Sequence, residues 1–458
     1  MKKPETADLR ENRTRAQITP QEVHAVLGKH ILADGFDLVV DLRKSHGVHL
    51  FDSRYNRWFL DIFSFFASSP VGMNHPKMTS PEFLEKLARV AVNKPTNSDV
   101  YTVEMAEFVD TFARIAMPDY LPHAFFIEGG ALGVENALKA SFDWKMRKNL
   151  RKGFYRSLSD ENKLQVIHFR QAFHGRTGYT LSLTNTDPVK IDYFPKFQWP
   201  RISNPAIRFP LNEKNLEDVK QREEIAISEI KAAIRQHGDN IAALIIEPIQ
   251  AEGGDHHFRK EFLEALRVLA DENDFMLIFD EVQTGIGLTG KMWAHEYFVR
   301  PDMMAFGKKT QVCGFLSSTR IDEVEENVFQ KSGRLNSTFG GNLIDMVRFA
   351  KYLEIIEEEH LVEHAAQLGT YLLEQLRAIE QEFPTLISNT RGLGLFCAMD
   401  LPTPQLRDEF RKQLYAKGVL MLGCGERSIR FRPPLIIQRE ELDDGLQRMR
   451  DVLTKMKS

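Results

Sequence analysis

Phe275-Met276-Leu277-Ile278-Phe279-Asp280-Glu281-Val282-Gln283-Thr284-Gly285 decides the fold class of this chain. Five apolar residues run into a carboxylate, and a run of that length and composition reads as a buried strand. An acid at the carboxyl end of such a strand stands where open α/β sheets place their ligands. Working outward, Leu164–Phe169 and Ile241–Ile246 read as two more strands. Between the second of these and Phe275, the stretch from Glu261 to Ala270 carries Phe262, Leu263, Leu266 and Leu269 at helical spacing. That alternation implies a mostly parallel sheet covered by helices. Further out, Val48-His49-Leu50-Phe51 and Trp58–Phe63 suggest small strands, and a long helix follows Asn342. Met346, Val347, Ala350, Leu353 and Ile356 are among its apolar positions, and a second α/β lobe is expected from there to Ser458.

The bulk numbers narrow the class. A chain of 458 residues exceeds what one compact core usually holds, so two domains are expected. Sixty Lys and Arg against sixty-four Asp and Glu leave a net charge of −4, which argues against a dedicated nucleic-acid surface. Three scattered cysteines, Cys313, Cys397 and Cys424, fit neither a disulfide framework nor a zinc site, and a reducing cytoplasm is expected. Residues 1 to about 18 read as a polar arm without the apolar segment of a secretory signal. No run approaches a membrane span.

Several stretches carry chemistry. Pro301-Asp302-Met303-Met304-Ala305-Phe306-Gly307-Lys308-Lys309 sets a lysine just beyond another short apolar run. It is no Walker motif: Lys309 stands where Ser or Thr is needed, and Asp302 where glycine is needed. Glu128-Gly129-Gly130-Ala131-Leu132-Gly133 follows an apolar run and opens a helix, and bare amides at a helix N-terminus bind phosphate. Phe173-His174-Gly175-Arg176 lies past the strand ending at Phe169; its aromatic could stack on a ring and its arginine fork onto a carboxylate. Glu247 and Glu252 follow the strand ending at Ile246, beside His256-His257, but without the spacing of a metal site. Asn336-Ser337-Thr338-Phe339-Gly340-Gly341-Asn342 is a polar loop before the long helix, where a hydroxyl could meet phosphate or merely cap. Arg430 and Arg432 alternate with apolar residues; by themselves they read as a polar strand face in water, ended by Pro433. An acid that keeps a pyridine nitrogen protonated and a lysine that bonds an aldehyde carbon are the two groups pyridoxal phosphate (PLP) requires.

In order and spacing, the set resembles the class III (ω-amino acid) aminotransferases from about residue 40 to 450, and within them the L-lysine 6-aminotransferase branch. The resemblance implies fold type I: a large domain with a mostly parallel, seven-stranded-type sheet plus a smaller α/β domain. Expected boundaries are 1–75 for the arm and a small-domain segment, 76–340 for the PLP-binding domain and 341–458 for the C-terminal small domain. It implies Lys308 as the Schiff-base lysine, six residues after Asp302, with Asp280 partnering the ring nitrogen. Gly130 and Ala131 would supply phosphate-binding amides, Phe173 would stack on the ring and Gln283 would approach its hydroxyl. Glu247 would be a further cofactor-contacting position. Thr338 would reach the phosphate of a second copy in a homodimer with shared sites. Arg176 would bind the remote substrate carboxylate. Arg430 would bind the carboxylate beside the reacting carbonyl of 2-oxoglutarate, covered by Glu252 when lysine is bound, and Asn336 would add a substrate contact. The implied reaction moves the ε-amino group of L-lysine to 2-oxoglutarate by a ping-pong route, without metal. Alternatives on the same machinery are ornithine, 4-aminobutyrate or another ω-amine, or a PLP mutase or decarboxylase. A cytoplasmic enzyme acting on small molecules, with neither nucleic acid nor membrane as partner, is expected.

Overall fold

Why the apolar runs become central strands is visible in their surroundings. Ile241–Ile246 and Met276–Asp280 are buried at every position, because helices cover both faces of the sheet they form. Successive side chains alternate between the two faces. Met276 and Ile278 pack with Val134, Leu138 and Trp144 of the Gly130–Arg151 helix, whereas Leu277 and Phe279 pack with Phe262 and Leu266 of the Lys260–Glu272 helix. This is a computed structural model, and it describes residues 18–457. The polar arm expected over residues 1 to about 18 lies, up to residue 17, outside the described residues.

The seven-stranded sheet runs, edge to edge, His123–Ile127, Cys313–Ser317, Met303–Phe306, Met276–Asp280, Ile241–Ile246, Gln165–Phe169 and Arg201–Ile202. Only Cys313–Ser317 is reversed; it pairs antiparallel with both neighbours, and the other pairings are parallel. The segments after Ile127, Phe169, Ile246, Asp280 and Phe306 therefore gather at one edge of the sheet. Close packing there depends on glycine: a Cβ on Gly133 would stand 2.6 Å from the Gly314 carbonyl oxygen, so helix and strand approach as near as backbones allow.

Beyond Asn342, which caps the Leu343–Glu358 helix, a four-stranded antiparallel sheet runs Ser388–Leu393, Phe396–Asp400, Ser428–Phe431 and Leu422–Cys424. A three-stranded sheet joins the early strands His49–Asp52 and Arg57–Asp61 to Val419–Leu420. Among the described residues no helix is long and apolar enough to cross a membrane.

Candidate active site

The chain ends gathered at the carboxyl edge of the large sheet enclose a cavity of about 410 Å³. Gly130, Ala131, Phe173, Arg176, Glu247, Glu252, Asp280, Gln283 and Lys308 line it, together with Phe66, His174, Gly175 and Val282. Nine of the twelve site residues expected from sequence thus share one chamber. Arg430 stands just behind, its guanidinium 2.9 Å from Glu252 Oε2. Asn336 lines a separate cleft with Asn97, Ser98 and Tyr101, and Thr338 is not among the cavity residues.

Each group is held by its neighbours. Asp280 ends its strand, and its Oδ2 lies 2.8 Å from His174 Nδ1. His174 Nε2 is buried without a partner among the described residues, so Nδ1 is the natural donor to the carboxylate. Glu247 accepts the Phe173 amide on one oxygen and the Ala251 amide on the other, each at 3.0 Å, which fixes where Phe173 leaves its strand. Burial pushes Glu247 up to about 7; His174 opposes that shift and Asp280 adds to it. In the helix beginning at Gly130, the backbone donors of Leu132 and Gly133 already bond Gly129 O. No side chain caps that N-terminus. The Gly130 and Ala131 amides precede these bonds, at the cavity wall, where the helix dipole favours an anion. A side chain on Gly130 would stand 2.9 Å from a Val282 methyl, so a larger residue there would force Val282 to shift.

The paired lysines are distinguished by their contacts. Lys309 Nζ donates to Gln283 O at 2.7 Å and is buried away from the cavity; burial first, then Arg432 and Lys308, hold its amine well below the usual lysine range. Lys308 faces the cavity. Burial lowers its amine too, against the pull of Asp280 and ahead of the further lowering by Arg430. Its backbone has φ +55°, a left-handed conformation uncommon for any residue but glycine.

The expectation of a polar strand face in water at Arg430 and Arg432 is overturned. Both side chains are buried, and Arg432 pairs with Asp255 at 2.6 Å while Arg430 pairs with Glu252. Strand alternation placed the two arginines on one face correctly; the acids that cover them arrive on the hairpin Ile249–Gln250 and His256–His257, far away in sequence. Arg430 NH1 has no partner among the described residues, leaving a buried donor free. Glu252 is gripped twice, since its Oε1 also accepts from Lys190 Nζ at 2.6 Å. Burial pushes the Glu252 carboxyl up, but Arg430 and Lys190 outweigh it and hold the group below the usual carboxylate range.

Sequence reasoning passed over three contributors. His174 stood unassigned between Phe173 and Arg176. Lys190 carried no motif. Phe66 drew no assignment, yet Ser64, Phe65, Phe66 and Ala67 all have positive φ, and this left-handed turn carries Phe66 to the cavity, with its ring 5.9 Å from the Arg430 guanidinium. Asp61 steadies the turn by accepting the Phe63 and Ser64 amides at 2.9 and 2.7 Å.

The residues fit pyridoxal phosphate: an acid and an amine face one chamber, open helix amides stand at its wall, and the Gln283 Oε1 atom is buried without a partner among the described residues. Comparison with known proteins agrees. The family model of class III aminotransferases matches residues 33–453. L-lysine-epsilon aminotransferase of Mycobacterium tuberculosis (strain ATCC 25618 / H37Rv) is 51% identical over 437 residues, covering 95% of this chain and 96% of its own. The enzyme of the same name from Amycolatopsis lactamdurans is 49% identical over 432 residues, 93% of this chain and 94% of its own. A solved lysine aminotransferase from M. tuberculosis in the internal aldimine form superposes with a TM-score of 0.92 at 50% identity, covering 96% of this chain and 100% of that one. With an acid, an amine and an anion cradle meeting at the edge of this sheet, the chain belongs to the PLP-dependent class III aminotransferases.

Proposed function

We propose that this enzyme transfers the ε-amino group of L-lysine to 2-oxoglutarate, giving 2-aminoadipate 6-semialdehyde and glutamate. The observation that carries the reading is the covered arginine: Arg430, paired with Glu252 at 2.9 Å, beside a cavity that also holds Arg176. An ω-amine brings no carboxylate to its reacting carbon, whereas a 2-oxo dicarboxylate brings one, and a site serving both needs a cation that can be covered and uncovered. The names of the half-identical relatives support lysine as the donor.

When bound, pyridoxal phosphate supplies an aldehyde that exchanges amines and a ring that accepts the electrons released when a carbon loses its proton. Asp280 holds the proton of the ring nitrogen, and His174 orients Asp280. Phe173 faces the ring, with Glu247 setting its backbone, and Gln283 meets the ring hydroxyl. The Gly130 and Ala131 amides bind the phosphate, and Thr338 of a second copy completes that site in a homodimer. Lys308 would anchor the cofactor, and its neutral amine would be the base that takes the proton from lysine Cε. Burial favours its neutral form, which is the form a base needs. Arg176 binds the remote carboxylate of either substrate, and Asn336 adds a contact from its loop. Glu252 covers Arg430 for lysine and uncovers it for 2-oxoglutarate. We place the domain boundaries near residues 75 and 340 and the enzyme in the cytoplasm.

The test is spectroscopic. L-Lysine alone is expected to bleach the visible band of the purified holoenzyme, and 2-oxoglutarate to restore it, with the 6-aldehyde as product. A protein without any such band after incubation with PLP overturns the assignment of the site. A band indifferent to lysine but bleached by ornithine or 4-aminobutyrate keeps the machinery and changes the donor.

A further inference from the structure

The mechanism above gives Lys190 nothing to do, yet its ammonium sits against the residue on which substrate choice turns. Lys190 ends the short helical turn Pro188–Lys190, which Asp187 caps by accepting the Val189 amide at 3.1 Å. From there Nζ reaches Glu252 Oε1 at 2.6 Å, while Arg430 holds Oε2 of the same carboxylate at 2.9 Å. Along this row the side chains of Arg430, Glu252 and Lys190 are 3%, 25% and 16% exposed, so the carboxylate between the two cations is the most exposed of the three. The Lys190 ammonium also lies 5.5 Å from the Phe173 ring centroid, so it borders the same chamber.

We propose that Lys190 is a positioning residue that keeps hold of Glu252 when a substrate carboxylate displaces it from Arg430. The inference rests on the reading of Arg430 as the site for the carboxylate beside the reacting carbon. Pulling a partly buried carboxylate off its only cation leaves an uncompensated charge, and that is where the cost of breaking such a pair lies. With Lys190 already bonded, only one of two contacts is lost. The charges then pair in both states. With an ω-amine bound, Glu252 bridges Arg430 and Lys190. With a 2-oxo dicarboxylate bound, the substrate pairs with Arg430 and Glu252 pairs with Lys190. Lys190 thus lowers the barrier to accepting the second substrate without touching it.

Binding of unreactive acids to the holoenzyme, measured by calorimetry, tests this apart from turnover. Glutarate needs both Arg176 and Arg430; hexanoate, with one carboxylate and lysine's length, needs only Arg176. Lys190→Met is expected to weaken glutarate roughly tenfold, the scale of a partly buried ion pair, and to leave hexanoate within about twofold. Lys190→Arg should restore glutarate binding. In a Glu252→Gln background, where no carboxylate must be held, Lys190→Met should cost nothing. An equal loss in that background, or a matching loss for hexanoate, would show that the Lys190 charge acts on the ligand directly and would overturn the proposal. If Glu252→Gln tightens glutarate but Lys190→Met leaves it unchanged, the role of Lys190 alone falls. If Glu252→Gln fails to tighten glutarate, the reading of Arg430 falls and takes this inference with it.

Discussion

The His174 imidazole and the Asp280 carboxylate share a buried 2.8 Å hydrogen bond, Nδ1 to Oδ2, at the carboxyl edge of the large sheet. A buried donor to a carboxylate is worth about 1.5–3 kcal/mol. His174→Phe removes it and is expected to lower kcat by roughly ten- to a hundredfold. Steady-state kinetics with saturating cofactor separates this from weakened cofactor binding; an unchanged kcat would make the pair merely architectural.

Lys308 and Lys309 can be told apart chemically. Reduction of the holoenzyme with borohydride followed by peptide mass analysis is expected to find the cofactor on Lys308. Lys308→Ala should lose turnover by at least about a thousandfold, the scale of removing both a covalent anchor and a general base. Lys309→Met should keep the attachment, because its amine points to the Gln283 carbonyl rather than the cavity.

Glu252→Gln keeps the shape of the residue and removes the charge that covers Arg430. The variant should shift preference from ω-amines toward donors with a carboxylate on the reacting carbon. Single-turnover rates with L-lysine and L-glutamate measure the ratio, which is expected to move by roughly tenfold or more. A ratio equal to that of the parent enzyme would remove Glu252 from substrate choice.

Asp61 offers a prediction in pH. Burial raises its carboxyl to about 6, against the two backbone amides it accepts. A folded-state pKa above the unfolded one favours folding below about 3.8, and that contribution is lost as pH rises through about 6. Asp61→Asn keeps an acceptor for the turn and escapes the charge. Relative to the parent, the variant should therefore gain stability between pH 4 and 7, by about 3 kcal/mol at most. Melting temperatures across that range provide the check; a difference that does not change with pH contradicts it.

Gly314→Ala tests the tight seam at the reversed strand. Its Cβ would fall 1.9 Å from the Phe125 carbonyl oxygen, which neither strand can avoid without shifting. Overpacking of this kind costs about 1–3 kcal/mol, read from urea unfolding.

Much of this was legible in the chain itself. Ile241–Ile246 and Met276–Asp280 announce themselves because a strand covered on both faces must be apolar throughout. Arg430 and Arg432 were harder. Their alternation gives a common face, but Asp255, which buries Arg432, lies 177 residues away, and no local pattern carries that distance. Phe66 was hidden for a different reason: the left-handed turn that presents it contains no glycine, so nothing in Ser64-Phe65-Phe66-Ala67 signals positive φ. It is held instead by local bonds from the Phe63 and Ser64 amides to Asp61 and by a tertiary one from Ser64 Oγ to Arg432 O.

The reversed strand Cys313–Ser317 has a mechanical meaning. Because it pairs with Met303–Phe306, the chain climbs to the cavity and returns beside itself, and Lys308 sits at the crest of that loop. Both limbs are laced into the sheet, the returning one along two neighbours. In the role proposed for Lys308, a bond that opens and re-forms in each half of a cycle is thereby moored fore and aft. The sheet stays still, and the stroke is confined to four methylenes and an amine.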